Sequence, residues 1–262
     1  MSVMNTATNQ TAKPTHRKGK QSLWRIILFV VSTILVIAIS STAIYLIPYS
    51  AASDAVAALH STANVTVTQN DKSISFLPHT PARVGLIFYP GAKVDPAAYA
   101  ITMRTLADSG YATFIVKMPL NIALLAENRA DDVIVAHPEI HIWAVGGHSL
   151  GGVAACDYAA SHMNITGLLL FAAYPSGDIS QRTNLQVVSI SGSRDGLATN
   201  AKVDAAKHLL PPTTTYIVIQ GGIHGYFGDY GQQDGDGQPT ISREQAQRQI
   251  TASSLHFLQS LT

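Results

Sequence analysis

Residues 146–152 read Gly-Gly-His-Ser-Leu-Gly-Gly, and this stretch limits the chain more than any other. It follows His141-Ile142-Trp143-Ala144-Val145, a short run rich in β-branched and aromatic residues, and precedes an alanine-rich helical stretch at 153–160. A serine flanked by glycines at a strand-to-helix junction is the G-x-S-x-G elbow. The turn is sharp and strained, so the residues packed beside the serine must be nearly free of side chain. Gly147 and Gly151 meet that demand, with Gly146 and Gly152 widening the room. The serine hydroxyl is thereby held clear of the sheet, at the positive end of a helix.

An elbow needs a sheet to stand on, and the flanking sequence supplies one. Residues 64–69 and 73–77 alternate with period two around Asn70-Asp71-Lys72, the pattern of an antiparallel hairpin. From Arg83 onward, apolar runs alternate with helical stretches. Strands are expected at 84–89, 111–118, 141–145, 166–172, 185–191 and 214–220, and helices at 97–109, 121–136, 153–162, 198–209 and 243–259. Continuous apolar strands separated by helices imply a mostly parallel sheet covered on both faces.

The chain has 262 residues, 47% of them hydrophobic and 13% charged, and its apolar excess is concentrated in one place. Residues 26–47 carry no charge, and about 20 apolar residues suffice to cross a bilayer as a helix. Ser32, Thr33, Ser40, Ser41 and Thr42 are tolerable there because their hydroxyls bond back to helix carbonyls. Lys13, Arg17, Lys18, Lys20 and Arg25 precede the run, and no acid appears before Asp54. By the positive-inside rule the amino terminus is expected in the cytoplasm and the remainder outside. A cleaved signal peptide, cut near Ser50-Ala51-Ala52, is the alternative, but its apolar core would span only about 7–15 residues. The expected organisation is a basic cytoplasmic arm at 1–25, a transmembrane signal anchor at 26–47, a linker at 48–62 and the main domain at 63–262. Without the five cations the chain has 12 Lys+Arg against 16 Asp+Glu, a net −4, and no basic surface for nucleic acid. Cys156 is the single cysteine, so no internal disulfide is possible, and it reads as a small core residue.

A serine hydroxyl needs a base, and the base needs an acid to hold its tautomer. Active groups of open parallel sheets gather beyond the carboxyl ends of the strands. Asp195, in Ser191-Gly192-Ser193-Arg194-Asp195-Gly196, and His224, in Gly221-Gly222-Ile223-His224-Gly225, both lie just past strand ends. His208 and His256 fall within expected helices, as do Asp157 and Asp204, and Asp178 is the runner-up acid. The order Ser149, Asp195, His224 is the one this elbow type requires. His148 is read as shaping the turn or pocket rather than as the base. The oxyanion-hole donors are expected to be the backbone N–H groups of Leu150 and Ala92, the latter from the loop Phe88-Tyr89-Pro90-Gly91-Ala92. Tyr89 lines the pocket or fills the core. The Gly/Asp-rich stretch 228–237 lacks the acid series and terminal glutamate of a calcium loop, so neither a metal nor a cofactor is expected. It reads as a solvated loop, with Asp229 a candidate supporting group beside His224.

Four segments together, 88–92, 147–151, 192–196 and 222–228, resemble the α/β-hydrolase superfamily, and in particular the bacterial "α/β hydrolase fold-5" proteins, similar in outline to dienelactone hydrolases. The resemblance covers residue 63 to the carboxyl terminus. It implies an α/β-hydrolase fold with minimal or no cap, since only residues 174–184 separate the two strands between which a cap is usually inserted. Two departures matter. Pro90-Gly91 stands where the family has His-Gly, and the nucleophile is serine rather than the cysteine of dienelactone hydrolases. The expected function is a membrane-anchored serine hydrolase acting on a small-molecule or surface-bound acyl ester through Ser149, His224 and Asp195. An acyltransferase, a peptidase or a non-catalytic binding protein of the same fold are the alternatives.

Overall fold

The structure, a computed structural model, describes residues 18–45 and 47–262. Lys13 and Arg17 of the expected basic arm lie outside the described residues. The described residues divide into two units, one before residue 48 and one at 48–262. The first contains helix α1 (Lys18–Tyr45), whose stretch Leu23–Ser41 has a mean hydropathy of 2.4 and is exposed throughout. Among the described residues it is the one helix long and apolar enough to cross a membrane. Within it Ser32 and Thr33 donate to the Phe29 carbonyl at 2.9 and 2.8 Å, so their hydroxyls are satisfied internally.

The second unit opens with Tyr49 bridged to Val94 and Ala51 bridged to Tyr230, so part of the stretch expected as a linker is built into it. After the short helix α2 (Ser53–Ala57) come eight strands: β1 (Val65–Gln69), β2 (Ser73–Pro78), β3 (Val84–Tyr89), β4 (Ala112–Val116), β5 (Ile142–His148), β6 (Ile165–Phe171), β7 (Gln186–Gly192) and β8 (Thr215–Ile219). They form one sheet in the order β1-β2-β4-β3-β5-β6-β7-β8. The hairpin β1–β2 and the β2–β4 pair are antiparallel, and every later pair is parallel.

Alternate residues of β3 show why the strands are apolar throughout. Leu86 and Phe88 join a core with Met103, Leu106, Ile250 and Phe257, from α3 (Ala100–Asp108) and α7 (Arg243–Gln259). Ile87 and Tyr89 join another with Val133, Ala154, Ala155 and Tyr158, from α4 (Arg129–Ala136) and α5 (Leu150–Ser161). Side chains of successive strand residues point to opposite faces, so two covered faces demand two apolar sets.

The expected helix 121–136 is corrected. Leu120 and Asn121 hold positive φ of 54° and 53°, and only short 3-10 turns at Pro119–Asn121 and Ala123–Leu125 precede α4. Strand β5 runs on through Gly146, Gly147 and His148, which pair with Leu169, Leu170 and Phe171. Helix α6 (Asn200–Ala206) completes the set, and no helix occurs between β6 and β7.

Candidate active site

Because β3, β5, β6, β7 and β8 run parallel, their carboxyl ends share one edge of the sheet. The sheet is wound outward from the middle: β3 pairs with β4 on one side and with β5 on the other. Crevices of open α/β sheets form at such a switch point, and Ser149 follows β5 there.

Ser149 adopts φ 53°, ψ −124°, a conformation rarely open to a side-chain-bearing residue, which costs on the order of 1–3 kcal/mol and persists only where its surroundings enforce it. The enforcement is visible. Ser149 N–H donates to the Phe171 carbonyl at the end of β6, 3.0 Å away. A Cβ on Gly147 would strike the backbone of Gly151 and Gly152, and one on Gly151 would strike the carbonyl oxygens of Tyr89 and Pro90. Helix α5 starts at Leu150, the residue after the serine, and the first N–H groups of a helix have no intrahelical partner.

His224, on the loop after β8, and Asp195, after β7, meet: His224 Nδ1 lies 2.8 Å from Asp195 Oδ2, with both side chains buried. Asp195 Oδ1 accepts N–H bonds from Leu197 and Ala198 at 2.8 and 2.7 Å, so the carboxylate is fixed from both sides. A carboxylate only accepts, so in the neutral ring Nδ1 carries the proton and Nε2 is left with a lone pair. Nε2 is buried and has no hydrogen-bond partner, Ser149 included. Ser149 and His224 line the same cleft of about 210 Å³, whose remaining walls are apolar or small: Leu150, Val153, Ala172, Ala173, Leu197 and Ala198, with Tyr174.

Asp178, the runner-up acid, is exposed and accepts from Ser180 N–H at 2.9 Å within its own turn. Ala92 is half-buried and is not among the residues lining this cleft, although the loop before it packs on the elbow. Tyr89 is buried, its hydroxyl donates to the Glu127 carbonyl, and burial raises its pKa well above the usual phenol range. Cys156 is buried in the core of α5.

Two groups that carry no sequence signature hold these loops. Asp236 Oδ1 accepts from the N–H of His224 at 3.0 Å, Gly196 at 3.3 Å and Gly237 at 2.7 Å, while Oδ2 accepts from Gly225 N–H at 2.7 Å. One carboxylate thus ties the loop bearing the acid to the loop bearing the imidazole. Asp229, the supporting group suggested by the sequence, instead faces Arg243, 3.8 Å away. The only hint of Asp236 in the sequence is its setting between Gly235, which has φ 81°, and Gly237, where a Cβ would strike the Arg194 carbonyl.

The second group is Tyr99. Its hydroxyl oxygen accepts from Gly91 N–H at 3.0 Å and lies 2.8 Å from His148 Nδ1. In the tautomer that carries its proton on Nε2, neutral His148 accepts the tyrosine proton at Nδ1. His148 is fully buried, with its ring centroid 4.5 Å from that of His224. Burial, and then the neighbouring His224, push its pKa well below 6.5. It is a neutral strut between the elbow and the loop after β3, in keeping with a role in shaping the turn. Among the described residues no group of three or more His, Cys, Asp or Glu is arranged to hold a metal ion.

Residues 85–248 match the Alpha/beta hydrolase family, more than half of the chain. No curated protein matches the sequence. Among solved structures, carboxyl esterase 2 from the mycorrhizal fungus Tuber melanosporum superposes with a TM-score of 0.58 at 12% identity, over 82% of this chain and 92% of that one. A dienelactone hydrolase-like promiscuous phosphotriesterase from metagenomic libraries gives 0.57 at 15% identity, over 76% and 99%. A thermophilic esterase from the Planctomycetes species Thermogutta terrifontis, with butyrate bound, gives 0.51 at 13%, over 76% and 94%. At such identities the likeness concerns the fold.

Proposed function

The chain belongs to the alpha/beta hydrolase family, and from that premise we propose that it is a membrane-anchored, extracytoplasmic serine hydrolase of carboxylic esters. The observation that carries this reading is the His224–Asp195 pair, whose imidazole keeps an unpartnered Nε2 lone pair at the wall of the cleft that Ser149 also lines. A buried acceptor left without a partner costs about 1–3 kcal/mol; His148 Nε2 is unpartnered too, but of the two imidazoles only His224 lines the cleft that holds Ser149.

In the proposed reaction Ser149 Oγ attacks the ester carbonyl carbon while His224 Nε2 takes its proton. Asp195 holds the ring and stabilises the imidazolium. The oxyanion is met by the Leu150 N–H at the start of α5, with a second donor from the loop after β3, where the sequence places Ala92, and each such donor contributes about 2.7–4 kcal/mol to the transition state. His224 then protonates the leaving alcohol, and an acyl group remains on Ser149. Water, deprotonated by the same imidazole, releases the acid and restores the serine. Bonds between serine and base that are long in a free enzyme shorten in the substrate complex. The esterases among the structural neighbours support the choice of a carboxylic ester. The apolar helix, with five cations and no acid before it, supports anchoring with the catalytic unit outside.

The test is labelling by a fluorophosphonate probe together with ester turnover in Ser149→Ala. The wild type is expected to label and turn over, and the variant to do neither. Undiminished turnover in the variant would overturn the mechanism.

A further inference from the structure

We propose that the loop at residues 119–126 is a lipid-contact surface, so that the Ser149 cleft draws an acyl ester resident in the bilayer rather than one dissolved in water; this rests on the anchored-hydrolase reading above. Leu120, Leu124 and Leu125 are 59%, 42% and 55% exposed within six residues, while Ala123 between them is buried. Scattered single apolar residues on a surface need no explanation, but three leucines on one short loop do. Leu120 is also held at φ 54°, a region that leucine rarely enters, and still projects into solvent rather than into the core.

The loop's position gives the patch its meaning. It follows β4, which is parallel to β3 and lies on the same sheet as β5, so it emerges at the edge where Ser149 stands. It also touches the loop after Ala92, where Lys93 N–H donates to the Asn121 carbonyl at 2.8 Å. That loop is where the chain enters the domain: Tyr49 N–H donates to the Lys93 carbonyl at 2.6 Å, and Asp95 N–H to the Tyr49 carbonyl at 3.0 Å. The uncharged run expected to cross the membrane, 26–47, ends two residues before Tyr49, so an anchored chain enters the domain beside this loop almost directly from the run.

The cleft points to the same kind of substrate. At about 210 Å³ it is smaller than the ~300–1,000 Å³ of sites that enclose a whole ligand. It holds the reacting end of an ester and leaves the remainder outside, with no helix between β6 and β7 to cover it. A lipid surface against Leu120, Leu124 and Leu125 would keep that remainder in hydrocarbon.

The test uses the full chain in phosphatidylcholine vesicles. Leu124→Cys is labelled with bimane, since Cys156 is buried and unreactive, and quenching is read with nitroxide-bearing lipids. Quenching by shallow nitroxides is expected. In parallel, a variant combining Leu120→Asp, Leu124→Asp and Leu125→Asp is assayed on a long-chain ester embedded in the vesicle and on a short water-soluble ester. Turnover of the embedded ester is expected to fall about tenfold, the factor that ~1.4 kcal/mol of lost apolar contact represents, with the soluble ester unaffected. Bimane that lipid nitroxides leave unquenched would overturn the proposal, as would an equal fall with both esters. So would bimane protection that depends on protein concentration instead of lipid, which would assign the patch to a second copy. Quenching without turnover of either ester by the wild type would uphold the lipid contact and instead sink the hydrolase reading.

Discussion

Asp236→Ala removes the shared acceptor of four backbone N–H groups, of which His224 and Gly225 lie on the imidazole loop and Gly196 on the acid loop. Hydrogen bonds to a charged group contribute ~1.5–3 kcal/mol each. Asp236 is half-buried and one of its four bonds closes its own turn, so water recovers part of the loss. The net destabilisation is then about 2–4 kcal/mol. Asp236→Asn keeps one oxygen for His224 and Gly196 but turns an NH2 toward the Gly225 N–H, and is expected to lose ~1.5–3 kcal/mol. The larger effect is on rate. The two loops are freed to part, and a displacement of about 1 Å at a reacting group costs about 100-fold. Because Asp236 does not line the Ser149 cleft, kcat should fall and KM should change little. Urea unfolding and steady-state turnover of a soluble ester read both quantities. An Asp236→Ala enzyme with unchanged midpoint and kcat, or one altered only in KM, would refute the reasoning.

Gly151→Ala drives a Cβ into the carbonyl oxygens of Tyr89 and Pro90, and such overpacking costs about 1–3 kcal/mol or more; a wild-type unfolding midpoint with full probe labelling would contradict that geometry. Tyr99→Phe leaves Gly91 N–H and His148 Nδ1 without their partner, each worth about 1–3 kcal/mol when buried. Its unfolding midpoint in urea should drop accordingly, and an unchanged one would dismiss the strut. His148 sets a pH dependence: its folded pKa lies well below 6.5, chiefly through burial, so as pH falls through 6.5 the unfolded chain takes up a proton that the folded chain refuses. Stability is therefore present above pH 6.5 and declines below it by up to ~1.4 kcal/mol per pH unit. Urea unfolding from pH 7.5 to 5.5 should show part of that slope vanish in His148→Gln, and an unaltered slope would exclude His148 as its source.

What the sequence revealed and what it concealed follow from one distinction. Strand β3, with two covered faces, is apolar at every position, and α7 begins at Ser242 with a capping box closed by Gln245, so both are legible from side chains alone. The positions of Asp195 and His224 follow from the rule that strand ends carry the chemistry, and the structure pairs them. Residues 121–136 misled because the run Ile122-Ala123-Leu124-Leu125 has a helix-like apolar content, whereas left-handed Leu120 and Asn121 redirect the backbone. Gly146 and Gly147 read as turn residues yet lie in β5, since neighbouring strands supply their pairing and a Cβ on Gly146 would sit 2.6 Å from the Leu169 carbonyl. Asp236 and Tyr99 were illegible for a common reason. Their partners are backbone amides and a buried ring brought close only by folding, and no spacing in the chain encodes such a contact.

The central claim is that Ser149, His224 and Asp195 act as one unit that acylates the serine. It is tested most directly by mixing the protein with an activated ester, quenching with acid within the first turnover, and mapping the added acyl mass by peptide mass spectrometry. The account predicts the adduct on the peptide bearing Ser149, and its near absence in His224→Ala. An acyl group on another residue, or one that accumulates on Ser149 equally fast without His224, would contradict it.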